Sequence, residues 1–257
     1  MLPDGSGSCT SYTALPTLFP DLRVIGLNCP FLKNPEALTC SVRDLVGLYI
    51  AEIRRRQPEG PYTLAGWSAG GILAYEAAQR LVEEGAVVER LILVDSPNPI
   101  GIEKLPPRFY ELLSAAGVFG GYDGGDGKKK NNHNKKKKME APAWLVRHFL
   151  ATVEVLDQWR PRPFRGQAPT TSIIWAKRGV VQDVTESSQK GPQPGDTREM
   201  RWLLEDRPDD VLGCYGWDQL LGDNIVSVAR MDEANHFSMV RAPHATVLAN
   251  LMRQALR

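Results

Sequence analysis

Five residues, Gly66-Trp67-Ser68-Ala69-Gly70, place a serine between glycines, directly after a short apolar run and directly before a helical pattern. A G-x-S-x-G turn between strand and helix is the setting of a nucleophile elbow. The glycines suit a sharp turn in which flanking backbones approach closely. The turn lifts the hydroxyl to the C-terminal edge of a sheet, and the helix start behind it aims N–H groups at developing negative charge. A Gly-rich turn without chemistry is the plain alternative, and the strand–helix context favours the elbow.

A serine hydroxyl needs a base to attack at neutral pH. The chain has four histidines. His133 lies in a lysine run, His148 on an apolar helical pattern where packing explains it, and His244 beside Pro243 at a helix start. His236 lies in DEANHFSMV, after a late strand pattern, where the chain order serine–acid–histidine requires the base. The acid that would orient it is Asp95, which closes the strand LILVD beside the serine's strand. Asp232 and Glu233, read as part of the histidine's loop, are its rivals. Oxyanion donors are expected from the backbone of Ala69 and from the Gly-rich loop Pro3–Ser8, with Asp4 and Gly5 the candidates there.

These residues must be positioned by a scaffold. Strands are predicted at Arg23–Leu27, Tyr62–Gly66, Glu89–Asp95, Thr171–Ala176 and Ile225–Arg230. Helices are predicted at Cys40–Arg56, Ala69–Glu84 and from Pro243 onward, by apolar spacing and by Pro as a first-turn residue. Strands alternating with helices imply an α/β fold with a mostly parallel sheet and helices on both faces. Between Asp95 and Thr171 the rhythm breaks. Helical stretches at Pro107–Ala116 and Ala143–Trp159 flank a Gly/Lys/Asn run over 123–138, which reads as disordered. The span 100–165 is thus expected to be an inserted helical lid within one domain covering 1–257. Gly179–Thr197 reads as a loop.

Composition narrows the class. The 257 residues, 42% of them apolar, suffice for a sizeable core. No apolar run reaches membrane-spanning length, and MLPDGSGSCTSY has no secretory pattern. Cys9, Cys29, Cys40 and Cys214 show no pairing or metal-type spacing, so free thiols, no metal site and a cytoplasmic setting are expected. The net charge of +1 includes seven lysines in 128–138, so the rest of the chain is acidic. No aromatic residue is interleaved with those lysines, and no nucleic-acid partner is expected.

With these residues in view, the chain resembles the C-terminal thioesterase/Claisen-cyclase domain of fungal non-reducing iterative polyketide synthases. PDGSGSCTSY, VIGLNCPF, GPYTLAGWSAGGILAYEAA, LILVDSPNPIGIEKLPPRFYE, GWDQLLG and EANHFSMV carry the resemblance, and DSPNPIGIEKLPPR is its most specific part. That family begins with one or more strands ahead of the PDGSGS loop, whereas only Met1 and Leu2 precede it here. The resemblance implies an α/β-hydrolase fold, a Ser68–Asp95–His236 triad and no bound cofactor. It implies a poly-β-ketone thioester delivered on the phosphopantetheine arm of an acyl carrier protein, with other polyketide synthase domains as partners. Release would occur by Claisen-type ring closure, against walls including Trp67, Pro97, Phe109, Trp144 and Phe149. Two alternatives stay open: a hydrolytic thioesterase that uses water, and a catalytically weak hydrolase-fold domain with a short N-terminus.

Overall fold

The computed structural model describes residues 1–106, 108–110, 143–180, 193–209 and 212–257. The helix predicted at Pro107–Ala116 lies mostly outside this set, as do the lysine run with His133 and much of the predicted loop Gly179–Thr197.

Among the described residues, four strands form one parallel sheet in the order β1-β2-β3-β4: Tyr62–Trp67, Val88–Val94, Thr170–Arg178 and Ile225–Asn235. Successive side chains alternate between two apolar faces, which is why these strands read as near-continuous apolar runs. Leu64, Leu91, Leu93, Ile173 and Trp175 join one core. Ala65, Ile92, Val94, Ile174 and Ala176 join the other. On the first face pack α1 (Val42–Arg56) and α2 (Ala69–Glu83). On the second packs the last helix, whose Leu248, Ala249 and Met252 are buried.

Helix α1 starts two residues later than its apolar spacing suggests. Ser41 caps it by accepting from the Asp44 N–H at 3.1 Å, so the chain before it is held extended. Helix α3 (Ala143–Asp157) lies between β2 and β3 in the chain. Sequence patterning did not read α4 (Arg198–Leu204) or α5 (Asp218–Leu221), two short helices lacking several turns of repeat. The last helix, α6, spans His244–Ala255 with Pro243 just outside it.

The expected strand Arg23–Leu27 is not a strand. Among the described residues, its backbone bonds to the first residue of the chain: the Met1 amine donates to the Ile25 carbonyl at 2.7 Å and Leu27 N–H to Met1 at 3.0 Å. Met1 and Leu2 therefore lie between this segment and β1, where Leu2 makes a single parallel bridge to Gly66. β4, by contrast, runs five residues past its predicted end, because pairing with β3 resumes after a register shift at Arg178↔Asn235.

Among the described residues, no helix is long and apolar enough to cross a membrane.

Candidate active site

The turn after β1 is as tight as its glycines imply. Ser68 has φ 58 and ψ −129, a backbone that L side chains rarely adopt. A Cβ on Gly66 would overlap the Gly70 carbonyl group, and one on Gly70 would lie 2.8 Å from the Leu2 oxygen. Neighbouring groups hold the serine in place. Its N–H donates to Val94 at 3.0 Å, and its carbonyl accepts from Gly71 N–H at 3.0 Å and from the Ser96 hydroxyl at 2.8 Å. The elbow is thereby tied to the end of β2, the strand that pairs with β1 through Trp67↔Val94.

Asp95 follows Val94 and is fully buried. Its N–H donates to Ile174 at 2.7 Å, and its Oδ1 accepts from Ala176 N–H at 2.8 Å, so β3 fixes both backbone and carboxylate. His236 follows β4 and is also buried. Its Nδ1 lies 2.7 Å from Asp95 Oδ2, and its Nε2 lies 3.0 Å from Ser68 Oγ. An ionised carboxylate only accepts, so the proton belongs on Nδ1. Nε2 is then free to accept from the serine hydroxyl. The sheet thus brings Ser68, His236 and Asp95 into one hydrogen-bonded chain.

The rivals are placed elsewhere. Asp232 and Glu233 lie on β4 itself, not on a loop, because the strand is longer than expected. Both are exposed and engaged outward, Asp232 with Arg230 at 3.0 Å and Glu233 with Arg178. His148 is buried on α3 with Nδ1 3.3 Å from the Thr152 hydroxyl, a packed role. His244 opens α6.

Charges around the imidazole compete. Burial lowers the His236 pKa below the ordinary histidine value, while Asp95 opposes that shift and Arg207 adds to it. Burial would raise the Asp95 carboxyl, but Arg207 and His236 outweigh it and hold it below the usual carboxylate range. Asp4, buried near the site, is pushed up by desolvation.

Sequence reasoning missed several residues that hold this arrangement. Arg207 forks onto Asp95: Nη1 meets Oδ1, and Nη2 donates to Oδ2 at 3.1 Å. Trp202 sets its ring 5.3 Å from the imidazole, edge to face, with the Arg207 guanidinium 3.8 Å above it. Tyr12 ties the N-terminal loop to the elbow. Its hydroxyl donates to Leu2 at 2.7 Å and accepts from Trp67 N–H at 2.9 Å. Nothing local in sequence marks these positions. The nearest signal was the tyrosine closing PDGSGSCTSY.

A cavity of about 600 Å³ opens at Ser68. Ala69, Asp4 and Gly5 border it. Gly5 sits so close to α3 that a Cβ would lie 2.8 Å from the Phe149 ring. Trp67, Pro97, Phe109 and Phe149 line the cavity, while Trp144 does not. On α3 the lining positions 145, 149, 152, 153 and 156 recur at helical spacing, and Trp144 falls off that stripe. Trp67 also braces the base, donating from its indole N–H to the His236 carbonyl at 3.0 Å.

The thioesterase domain family matches residues 1–251. Bikaverin polyketide synthase bik1 of Gibberella fujikuroi is 46% identical over 257 residues, covering 100% of this chain and 12% of that protein. Non-reducing polyketide synthase aoiG of Aspergillus oryzae is 48% identical over 259 residues, covering 100% of this chain and 11% of that protein. The chain therefore spans about an eighth or less of the length of these relatives. Among solved structures, the NocB thioesterase domain in covalent complex with a fluorophosphonate nocardicin G analogue is similar at TM-score 0.68. It is 23% identical, with 99% of this chain and 92% of that chain covered. The surfactin thioesterase domain SrfTE is similar at TM-score 0.59 and 19% identity, over 100% of this chain and 89% of that one. At these identities the structures speak for the α/β-hydrolase fold.

Proposed function

Because the chain belongs to the thioesterase domain family, we propose that it releases a polyketide acyl chain through Ser68 by Claisen-type carbon–carbon closure. The observation that carries this reading is the chain of contacts from Ser68 Oγ through His236 to Asp95, standing at the floor of a largely apolar cavity. The similarity to fungal non-reducing polyketide synthases supplies the substrate class.

In the proposed reaction, Ser68 Oγ attacks the thioester carbonyl carbon and His236 Nε2 takes its proton. Backbone N–H groups of Ala69 and of the Asp4–Gly5 loop face the developing oxyanion. The carbon–sulfur bond breaks, and the leaving thiolate takes the proton from His236. This leaves an acyl ester on Ser68. Neutral again, His236 removes a proton from a substrate carbon flanked by two carbonyls. The resulting enolate attacks the ester carbon, the bond to Ser68 Oγ breaks, and the serine recovers its proton from His236. Water must be kept from the ester for ring closure to win. Phe109, Phe149, Trp202 and Phe237 provide apolar walls suited to that.

The thioester is proposed to arrive on the phosphopantetheine arm of an acyl carrier protein, with other polyketide synthase domains alongside. Residues 100–165 are proposed as a lid within a single domain over 1–257.

Intact-mass spectrometry after mixing the protein with an N-acetylcysteamine poly-β-ketone thioester tests the reading. An acyl adduct is expected on the wild type and not on Ser68→Ala, and the released product should be cyclised. An adduct on another residue would overturn the assignment of Ser68. Release of the linear acid alone would replace ring closure by hydrolysis.

A further inference from the structure

Arg207 lies 112 positions from Asp95 in the chain and meets it in the interior. Both side chains are nearly inaccessible, at 3% and 0% exposure. Every group of the guanidinium is engaged. Nε donates to the Trp202 carbonyl at 3.0 Å, Nη1 also donates to Ala176 at 2.7 Å, and the plane lies over the Trp202 ring. The Arg207 N–H donates to Lys177 at 2.8 Å, so the backbone is pinned to β3 as well. Two neighbouring charges are engaged elsewhere: Asp206 accepts from Gly179 N–H, and Asp209 pairs with Lys177 and Arg230.

A hydrogen-bonded carboxylate beside an imidazole needs no cation to hold it. Placing one there costs desolvation and is compensated only by good geometry. Here the geometry is a two-pronged fork on the same carboxylate that receives the His236 Nδ1–H. We propose that Arg207 is a positioning residue of this site: its fork fixes the plane of the Asp95 carboxylate and divides that carboxylate's charge between guanidinium and imidazole. This rests on the reading of Ser68 as nucleophile and His236 as its base.

The electrostatic consequence follows from the charges that face His236. These are Asp95 at the end of β2, Asp4 on the N-terminal loop and Arg207 after α4. Glu103, Asp157, Glu199 and Arg241 line the cavity farther out. Asp95 and Asp4 favour the imidazolium, and Arg207 disfavours it. Burial is the main reason that His236 favours its neutral, proton-accepting form, and Arg207 adds to that shift. That form is the one required for taking a proton from serine or from an activated carbon.

The test is the pH profile of single-turnover acylation for wild type, Arg207→Met and Arg207→Lys, with a fluorophosphonate titration counting competent serines. For Arg207→Met the midpoint of the acid limb should rise by roughly one pH unit, the scale of a nearby charge. Arg207→Lys keeps the charge and loses the fork. It should hold the acid limb near that of the wild type and lower the plateau rate per competent serine by about tenfold. If Arg207→Met does not fold, the lysine variant alone decides. Arg207→Lys equal to wild type in both limb and plateau would overturn the proposal, as would folded Arg207→Met with an unmoved limb. A wild type that forms no Ser68 adduct would instead overturn the thioesterase reading itself.

Discussion

Replacing Asp95 by asparagine tests the proposed orienting role most sharply. The carboxylate accepts from Ala176 N–H and Arg207 Nη1 at Oδ1, and from Arg207 Nη2 and His236 Nδ1 at Oδ2. An asparagine has one acceptor oxygen and one donor group to place there. With the oxygen at the Oδ1 position, Ala176 N–H and Arg207 Nη1 stay satisfied, and the amide NH₂ faces His236 and a single fixed donor, Arg207 Nη2. With the amide reversed, the NH₂ would face both Ala176 N–H and Arg207, donor against donor. The first orientation is favoured, and it donates to Nδ1. The imidazole proton then moves to Nε2, where it faces the serine and cannot accept. In a serine protease that change costs roughly ten-thousandfold in turnover, which at about 1.36 kcal/mol per decade is about 5.4 kcal/mol of barrier. The substitution also leaves Arg207 as a buried cation without its anion, a loss of about 3–5 kcal/mol. At about 2–4 °C per kcal/mol that lowers the melting temperature by about 6–20 °C. Asp232→Asn should change acylation by no more than about fivefold, since that side chain is about half exposed and pairs with Arg230 at the surface. The assay is single-turnover acylation followed by intact mass, with thermal melts run beside it. Asp95→Asn that stays folded and keeps more than about a tenth of the wild-type rate would refute the orienting role. So would Asp232→Asn proving the more damaging of the two.

Gly66→Ala should abolish soluble, folded protein or lower its melting temperature steeply, because the added methyl overlaps the Gly70 backbone rather than a movable side chain; a normal melting curve would contradict the tightness of the elbow. The base works only when neutral, and burial holds His236 below the ordinary histidine value of about 6.5. Acylation should therefore persist as pH falls through that value and fail only below it, and a stopped-flow profile with its acid limb at or above about 6.5 would contradict this. Deleting residues 124–138, which lie outside the described set, should leave acylation per competent serine within about twofold of the wild type, as for a solvated charge run; a hundredfold loss in a folded variant would assign the lysines a docking role.

The amino-acid sequence by itself determined much of the scaffold. Four of the five expected strands form, because runs apolar on both faces fit a buried parallel sheet and little else. It also narrowed the chemistry. The glycines around Ser68 are steric requirements of one turn, so they are legible as a local pattern, and four histidines left few choices of base. The strand pattern favoured Asp95 over Asp232, because the strand it closes was expected beside that of Ser68. The strand order sets β2 beside β1, with the Asp95 carboxylate at His236, while Asp232 pairs with Arg230 on β4. The segment Arg23–Leu27 did not form a strand: its composition suits a ladder, but its Ile25 and Leu27 backbones bond to Met1. Arg207 was out of reach altogether. An arginine in the stretch EDRPDD reads as a solvated charge, because arginine is rarely buried unless paired. Its partner lies 112 positions away in the chain, and only the packing of α4 and the segment after it against the end of β3 brings the two together.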